Sequence, residues 1–309
     1  MFWGNKEVIA VGGGKGGIGK SCFVANLGLT LAQTGRRVVL IDADIGAANL
    51  HTIIGVPFPD RTLDDFLRKP HANLKDALLD TPYSGLKLLS SASDVLAISS
   101  PNFKERQKLY KGIQKLEADV IIFDIAAGTH QRATDFFSLA PLGVIIVEPV
   151  PTSLENAFSF LKNLLFRQLL RVFYEDPEMR KYIQSTLDPS QGKTNLLQFS
   201  QLLENLVRLQ PEKVAVFKNQ YQTTSKLLLV ANSVRNQGQT QVAEKFVKIV
   251  KRYLSLNMQV LGNLPFENAM DDAIVARAPF VARYPQSKYT LSMSEIAERL
   301  PFRKPEADK

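Results

Sequence analysis

The chain has 309 residues, 45% of them hydrophobic, a formal net charge of +8 and a single cysteine. That length supports a large core, as one α/β domain or two small ones. No apolar run reaches membrane-spanning length, and one cysteine excludes an internal disulfide and a cysteine-rich metal site. The positive balance favours anionic partners such as nucleotide, nucleic acid or acidic lipid.

Met1 to Lys6 runs directly into a first apolar segment, Glu7 to Val11, which leaves no room for a signal peptide and points to the cytoplasm. The segment suits a buried parallel strand. Next comes Gly14-Lys15-Gly16-Gly17-Ile18-Gly19-Lys20-Ser21, a complete phosphate-binding loop with a second lysine at Lys15. Glycines permit the positive φ values that turn successive N–H groups inward around a phosphate chain. Lys20 can reach the β- and γ-phosphates, and the Ser21 hydroxyl can hold Mg²⁺. Cys22 to Gln33 is apolar, interrupted only by Gly28, and predicts a helix closed by Gly35. Strand, glycine loop and helix form the setting that gives the motif its meaning.

Further apolar runs at 38–41, 86–89, 120–123, 144–147, 227–231 and 260–261 alternate with helical patterns. The alternation predicts an α/β, doubly wound, mainly parallel sheet in one domain spanning 1–309. Ligands in such sheets bind beyond the carboxyl ends of the strands. After the second run stand Asp42, Ala43 and Asp44, two carboxylates that can organise Mg²⁺ through water and orient an attacking water. After the run at 120–123 stands Asp124, suited to the Mg²⁺ shell, with Gly128 four residues on to let a backbone amide approach the γ-phosphate. His130 in this stretch is assigned no catalytic role.

The connection between Val147 and Leu227 is too long for an ordinary crossover. Leu161 to Phe173 is apolar with Arg167 and Arg171 four apart, 188–192 is a turn signal, and Leu196 to Leu209 has helical spacing. An inserted helical segment over about 164–222 is expected, serving as packing or as a partner surface. Asn232 follows the next run and can pair with an adenine edge. Pro265 and Phe266, after the last run, can wall the base pocket. Between them, Lys245, Lys248 and Arg252 form a basic stripe at helical spacing that suits a solvated face or DNA phosphates. Residues 301–309 predict a flexible tail.

On Lys15 to Ser21, Asp42-Ala43-Asp44, Asp124 with Gly128, and Leu264-Pro265, the chain resembles the MinD/ParA family of deviant Walker ATPases. The resemblance implies a dimer formed around two molecules of ATP with Mg²⁺, Lys15 crossing to the partner's nucleotide, and Asp44 orienting the attacking water. In that reading Lys15, Lys20 and Asp44 are catalytic, and Ser21, Asp42 and Asp124 serve the metal. Gly14 to Cys22, Gly128, Asn232, Pro265 and Phe266 hold the nucleotide. The resemblance also implies slow hydrolysis that acts as a timer, an ATP-bound dimer that binds a surface and is released by hydrolysis, and an activating protein as partner. Asp44 to Leu50 and Glu148 to Ser153 are similar to the MinD and flagellar-number-regulator branch, which implies a spatial regulator of flagella or another polar structure. Those relatives end in an amphipathic membrane helix, for which Met293 to Leu300 is the one short candidate. A DNA-partition ATPase and a non-hydrolysing ATP-dependent scaffold are the competing readings. A metal-cluster protein lacks its cysteines, and a tyrosine autokinase its tyrosine cluster.

Overall fold

The computed structural model describes residues 3–44, 48–57, 59–69, 71–91, 103–129, 131–186, 197–224 and 226–302. His130, the turn at 188–192, the middle of the Asp44 to Leu50 stretch and most of the expected tail lie outside the described residues. Eight strands among the described residues form one sheet: β1 Glu7–Gly12, β2 Val38–Asp42, β3 Leu79–Asp80, β4 Leu86–Leu89, β5 Val120–Asp124, β6 Leu142–Val147, β7 Lys226–Val234 and β8 Met258–Pro265. Their spatial order is β3-β4-β2-β5-β1-β6-β7-β8, and every neighbouring pair is parallel except β3 with β4. The doubly wound, mainly parallel sheet expected from the sequence is present. The two-residue β3 carries too little apolar sequence to announce itself.

Strand periodicity of two splits the core into two layers. Val8, Ala10, Val39, Ile41, Ile121, Phe123, Ile145 and Val147 face one layer, while Ile9, Val11, Val38, Leu40, Val120, Ile122, Val144 and Ile146 face the other. The second layer is closed by α1, Lys20–Gln33, and by α13, Lys288–Arg299. Gly28 in mid-α1 is a packing device: a Cβ there would sit 2.6 Å from Leu40 Cδ2. Tyr289, Met293, Ile296 and Leu300 are all buried in this layer. The sequence left this segment open between a membrane face and the last core helix, and the burial of Met293, Ile296 and Leu300 makes their side chains core residues. Their helical spacing was real, but it served the sheet.

The first layer is covered by α4 Phe103–Gln114, α5 Gln131–Phe137, α6 Pro151–Val172 and α10 Gln237–Leu254. α6 starts with proline at its first turn, where a missing N–H costs nothing. It runs unbroken across position 164, where the helical insertion was expected to begin. The helices beyond it are α7 Pro177–Thr186, α8 Leu197–Leu209 and α9 Pro211–Thr224. Ile183, Phe199, Leu202, Leu206, Val214 and Phe217 bury their side chains in the same layer as the sheet. These helices thus thicken one face of a single core.

One polar knot ties this layer together. Asp135 of α5 is 3% exposed and accepts from Arg167 Nη2 at 3.0 Å and Arg171 Nη2 at 2.6 Å, both on α6, and pairs with Arg106 of α4 at 3.4 Å. The four-residue spacing of the two α6 arginines brings both to one face. Removing the carboxylate strands partly buried guanidinium groups; discounted for their 27–43% exposure, Asp135→Ala should cost about 2 kcal/mol. Urea unfolding of this variant measures that loss, and a change below about 0.5 kcal/mol would remove the knot from the list of stabilising contacts.

Candidate nucleotide site

The site lies at the carboxyl ends of β1, β2 and β5, where a parallel sheet exposes its loops. β1 ends at Gly12, and the loop that follows turns into α1 through Gly17 at φ +76° and Gly19 at φ +82°. Gly19 is the N-cap of α1, and no side chain caps that helix. Acidic residues are also absent from its first turn. An uncapped helix N-terminus leaves its N–H groups and positive dipole end available to an anion. Gly14 admits no side chain, because a Cβ would collide with the backbone carbonyl of Asn156 in the first turns of α6.

Lys20 is 8% exposed and donates to the Lys15 carbonyl at 3.0 Å. Burial pulls its ammonium below the usual lysine range, and the negative charges of Asp124 and Asp44 oppose that shift. Lys15 itself is half-buried on the same loop. Across the sheet, Asp42 and Asp124 occupy paired positions of β2 and β5. Both are buried, at 0% and 2% exposure. Asp42 accepts from the Asp44 amide at 3.0 Å and the Leu50 amide at 3.2 Å, which fixes both ends of the segment between them. Burial, then the neighbouring Asp124, raise the Asp42 carboxyl well above the carboxylate range, and those two amides hold it down. Burial pushes Asp124 up to about 6, with Asp44 adding to the rise and the Ser21 hydroxyl and Lys20 opposing it. Cys22, next in α1, is pushed up to about 11 by burial and then by Asp124 and Asp271, so it is an inert thiol.

The donor set suits Mg²⁺. Asp124 Oδ1 is buried with no hydrogen-bond partner among the described residues, and the Ser21 hydroxyl and the Asp44 carboxylate near Asp124, alongside Lys20, are hard oxygen groups of the kind such a cation takes. Among the described residues no three His, Cys, Asp or Glu side chains converge tightly enough to hold an ion alone. That matches a cation that keeps several waters and leans on phosphate oxygens.

The structure brings Gly14 to Ser21, Asp42, Asp44 and Asp124 to one end of the sheet, with Gly128 at φ +96° following β5. Asn232 differs from its expected place: it lies within β7, and its Nδ2 donates to the Ile18 carbonyl at 2.9 Å, anchoring the loop. Phe266 is 37% exposed directly after Pro265, with the Arg235 guanidinium 3.4 Å from its ring centre. Sequence reasoning missed Arg235, Asn156 and Ser153. Ser153 is 1% exposed and accepts from the Glu148 amide at 3.0 Å, shaping the turn that brings α6 against Gly14. Only the Glu148 to Ser153 run hinted at that turn, and nothing in it pointed at Gly14.

Residues 9–280 match the CobQ/CobB/MinD/ParA nucleotide binding domain. The chain belongs to this family. It is 26% identical over 296 residues to the antiactivator FleN of Pseudomonas aeruginosa, covering 95% of this chain and 86% of FleN. It is 29% identical to the flagellum site-determining protein YlxH of Helicobacter pylori, over about half of each chain, at 52% and 54%. The fold is shared with the septum site-determining protein MinD of Pyrococcus horikoshii, solved with Mg-ADP, at a TM-score of 0.60, 18% identity and 96% coverage of both chains.

The buried carboxylates give the site a pH signature. Unfolded, Asp124 titrates near 3.8; folded, near 6. The native state therefore binds more protons in between, and stability falls as pH rises through that window. Asp124→Asn should be more stable than the parent at pH 8 by roughly 2 kcal/mol, with the gap closing by pH 4. Urea unfolding at the two pH values checks this, and an equal gap at both would contradict it.

Proposed function

We propose that this chain is an ATP- and Mg²⁺-dependent dimeric switch that hydrolyses ATP slowly and regulates where a polar structure, such as a flagellum, is built. The observation that carries the reading is the convergence of Lys20, Ser21, Asp44 and Asp124 on the uncapped N-terminus of α1. The near end-to-end similarity to FleN, together with YlxH, supports the flagellar branch, and the Mg-ADP bound to the MinD relative supports the ligand.

The residues divide the work. Loop amides from Gly14 to Gly19 and the head of α1 cradle the phosphates. Lys20, with three donors and one already on the Lys15 carbonyl, holds the phosphate chain and neutralises it. Ser21, Asp124 and Asp42 would hold Mg²⁺, the last two through water; the bound cation supplies charge neutralisation between the β- and γ-phosphates. Asp44 accepts a hydrogen bond from the attacking water and aligns it with the γ-phosphorus as the bridging P–O bond breaks. Lys15 reaches the partner's nucleotide, where negative charge grows in the transition state. Phe266 and Arg235 border the base.

Lys20→Ala should abolish ATP binding, read by titration with a fluorescent ATP analogue; micromolar affinity retained would contradict the assignment. Asp44→Ala should keep ATP and accumulate as a dimer in light scattering, with turnover at least tenfold lower. Lys15→Ala should bind ATP as a monomer without hydrolysing it, and an unchanged rate would take Lys15 out of the mechanism.

A second reading, a DNA-partition ATPase, is favoured by one observation. Lys245, Lys248 and Arg252 are exposed along α10 while Phe246 and Val250 are buried beneath. ATP-dependent retention of duplex DNA on a filter at 50 mM salt, lost steeply by about 200 mM, is its expected mark; no retention at low salt removes it.

A further inference from the structure

α4 presents a second basic face, unrelated to the nucleotide site. Lys104, Lys108, Lys111 and Lys115 recur at intervals of four, three and four. At 3.6 residues per turn they fall within an arc of roughly 60° and span about 16 Å. They border a concavity of about 720 Å³ of mixed lining, with Phe66, Ala72 and Leu74 beside the polar His71, Asn73 and Gln107. Arg106, on the opposite side of the same helix, is turned inward to Asp135.

The lysines are not equivalent. Lys108 is committed to the protein: its ammonium donates to the carbonyls of Phe66 and Lys69 and lies 4.4 Å from the Phe66 ring centre. It closes the carboxyl end of α3, Leu63–Arg68, and fixes the floor. Lys104, Lys111 and Lys115 are exposed, and none has an ion-pair partner among the described residues. Of the carboxylates nearby, Asp64 pairs with Arg68, Asp65 with Lys69 and Glu117 with Lys75, while Glu105 of α4 lies beside Lys108 and acts on its charge. Three exposed lysines with no ion-pair partner among the described residues thus rim a hollow that is part apolar.

The geometry points to a docking site for an acidic helical segment of a partner protein, its carboxylates on Lys104, Lys111 and Lys115 and its apolar side chains in the hollow. The apolar part of the lining favours a protein segment over duplex nucleic acid, which would offer it only phosphate and sugar. Charge complementarity and a desolvated apolar centre within a polar rim are what a protein segment supplies. A helix carrying Glu at i, i+7 and i+11 repeats the spacing of Lys104, Lys111 and Lys115.

The test uses the full-length protein without nucleotide, so its outcome is independent of the ATPase reading. The probe is a fluorescein-labelled synthetic 16-residue peptide with Leu and Glu on adjacent faces of one helix; a scrambled peptide of the same composition is the control. Anisotropy at 150 mM salt should show the helical peptide binding at least tenfold more tightly than the scrambled one. Lys104→Glu/Lys111→Glu should weaken it tenfold or more, with Lys104→Gln/Lys111→Gln intermediate. Lys245→Glu/Lys248→Glu on α10 should stay within twofold. Circular dichroism melts confirm that the variants fold, and Lys108 is left untouched because it supports the floor. Equal binding of the two peptides, no binding of either, or a duplex oligonucleotide binding more tightly than the peptide and losing affinity in the α4 variants would each overturn the proposal.

Discussion

Two carboxylates stand side by side at the ends of β2 and β5, buried, with one buried ammonium from the glycine loop beside them. Water does not solvate these charges, so they must answer one another, and the arrangement leaves a surplus of negative charge in a low-dielectric setting. The raised protonation range of Asp42 and Asp124 is the measure of that strain. A hard cation with phosphate oxygens would complete the set, so the fold tolerates an unfavourable local arrangement in order to present it. The hydrogen bonds around it follow from this need. Asp42 is held by the amides of Asp44 and Leu50, and the loop is held by Asn232 and by the Lys20 contact to Lys15.

The sheet makes that concentration of charge affordable. Parallel neighbours place the ends of β1, β2 and β5 along one rim, and β1 lies between β5 and β6 at the centre of the order. Apolar layers on both faces fix the strands, so each post-strand residue arrives at the rim in a defined position. The chain belongs to the CobQ/CobB/MinD/ParA family by a match over residues 9–280, most of its length. Within such a framework the rim residues carry the chemistry, and the helices on either face hold them in place.

The fold was legible in the sequence because its signals are local. Buried parallel strands read as short apolar runs, the glycine loop follows the first of them, and Asp42 and Asp124 stand where their strands stop. What was not legible depended on the third dimension. Asn232 reads as a base-pairing amide beyond a strand, yet β7 extends past it and its side chain turns toward Ile18, which lies 214 positions away along the chain. Asp135 is an ordinary aspartate until α4 and α6 bring three guanidinium groups to it. The apolar spacing of Met293, Ile296 and Leu300 is the same for a membrane face and for a core helix; only the presence of a sheet beneath it decides.

Gly14 and Asp135 have a joint consequence. The phosphate loop rests on the first turns of α6 through the Asn156 carbonyl, and Arg167 and Arg171 fasten the far half of the same helix to α5. A helix of 22 residues is a rod about 33 Å long. Held at both places, it moves as one piece or not at all. Beyond it, α9 packs on α6, α8 on α9 and α7 on α8. The outer helices and the glycine loop thus share one support, the same rod of α6.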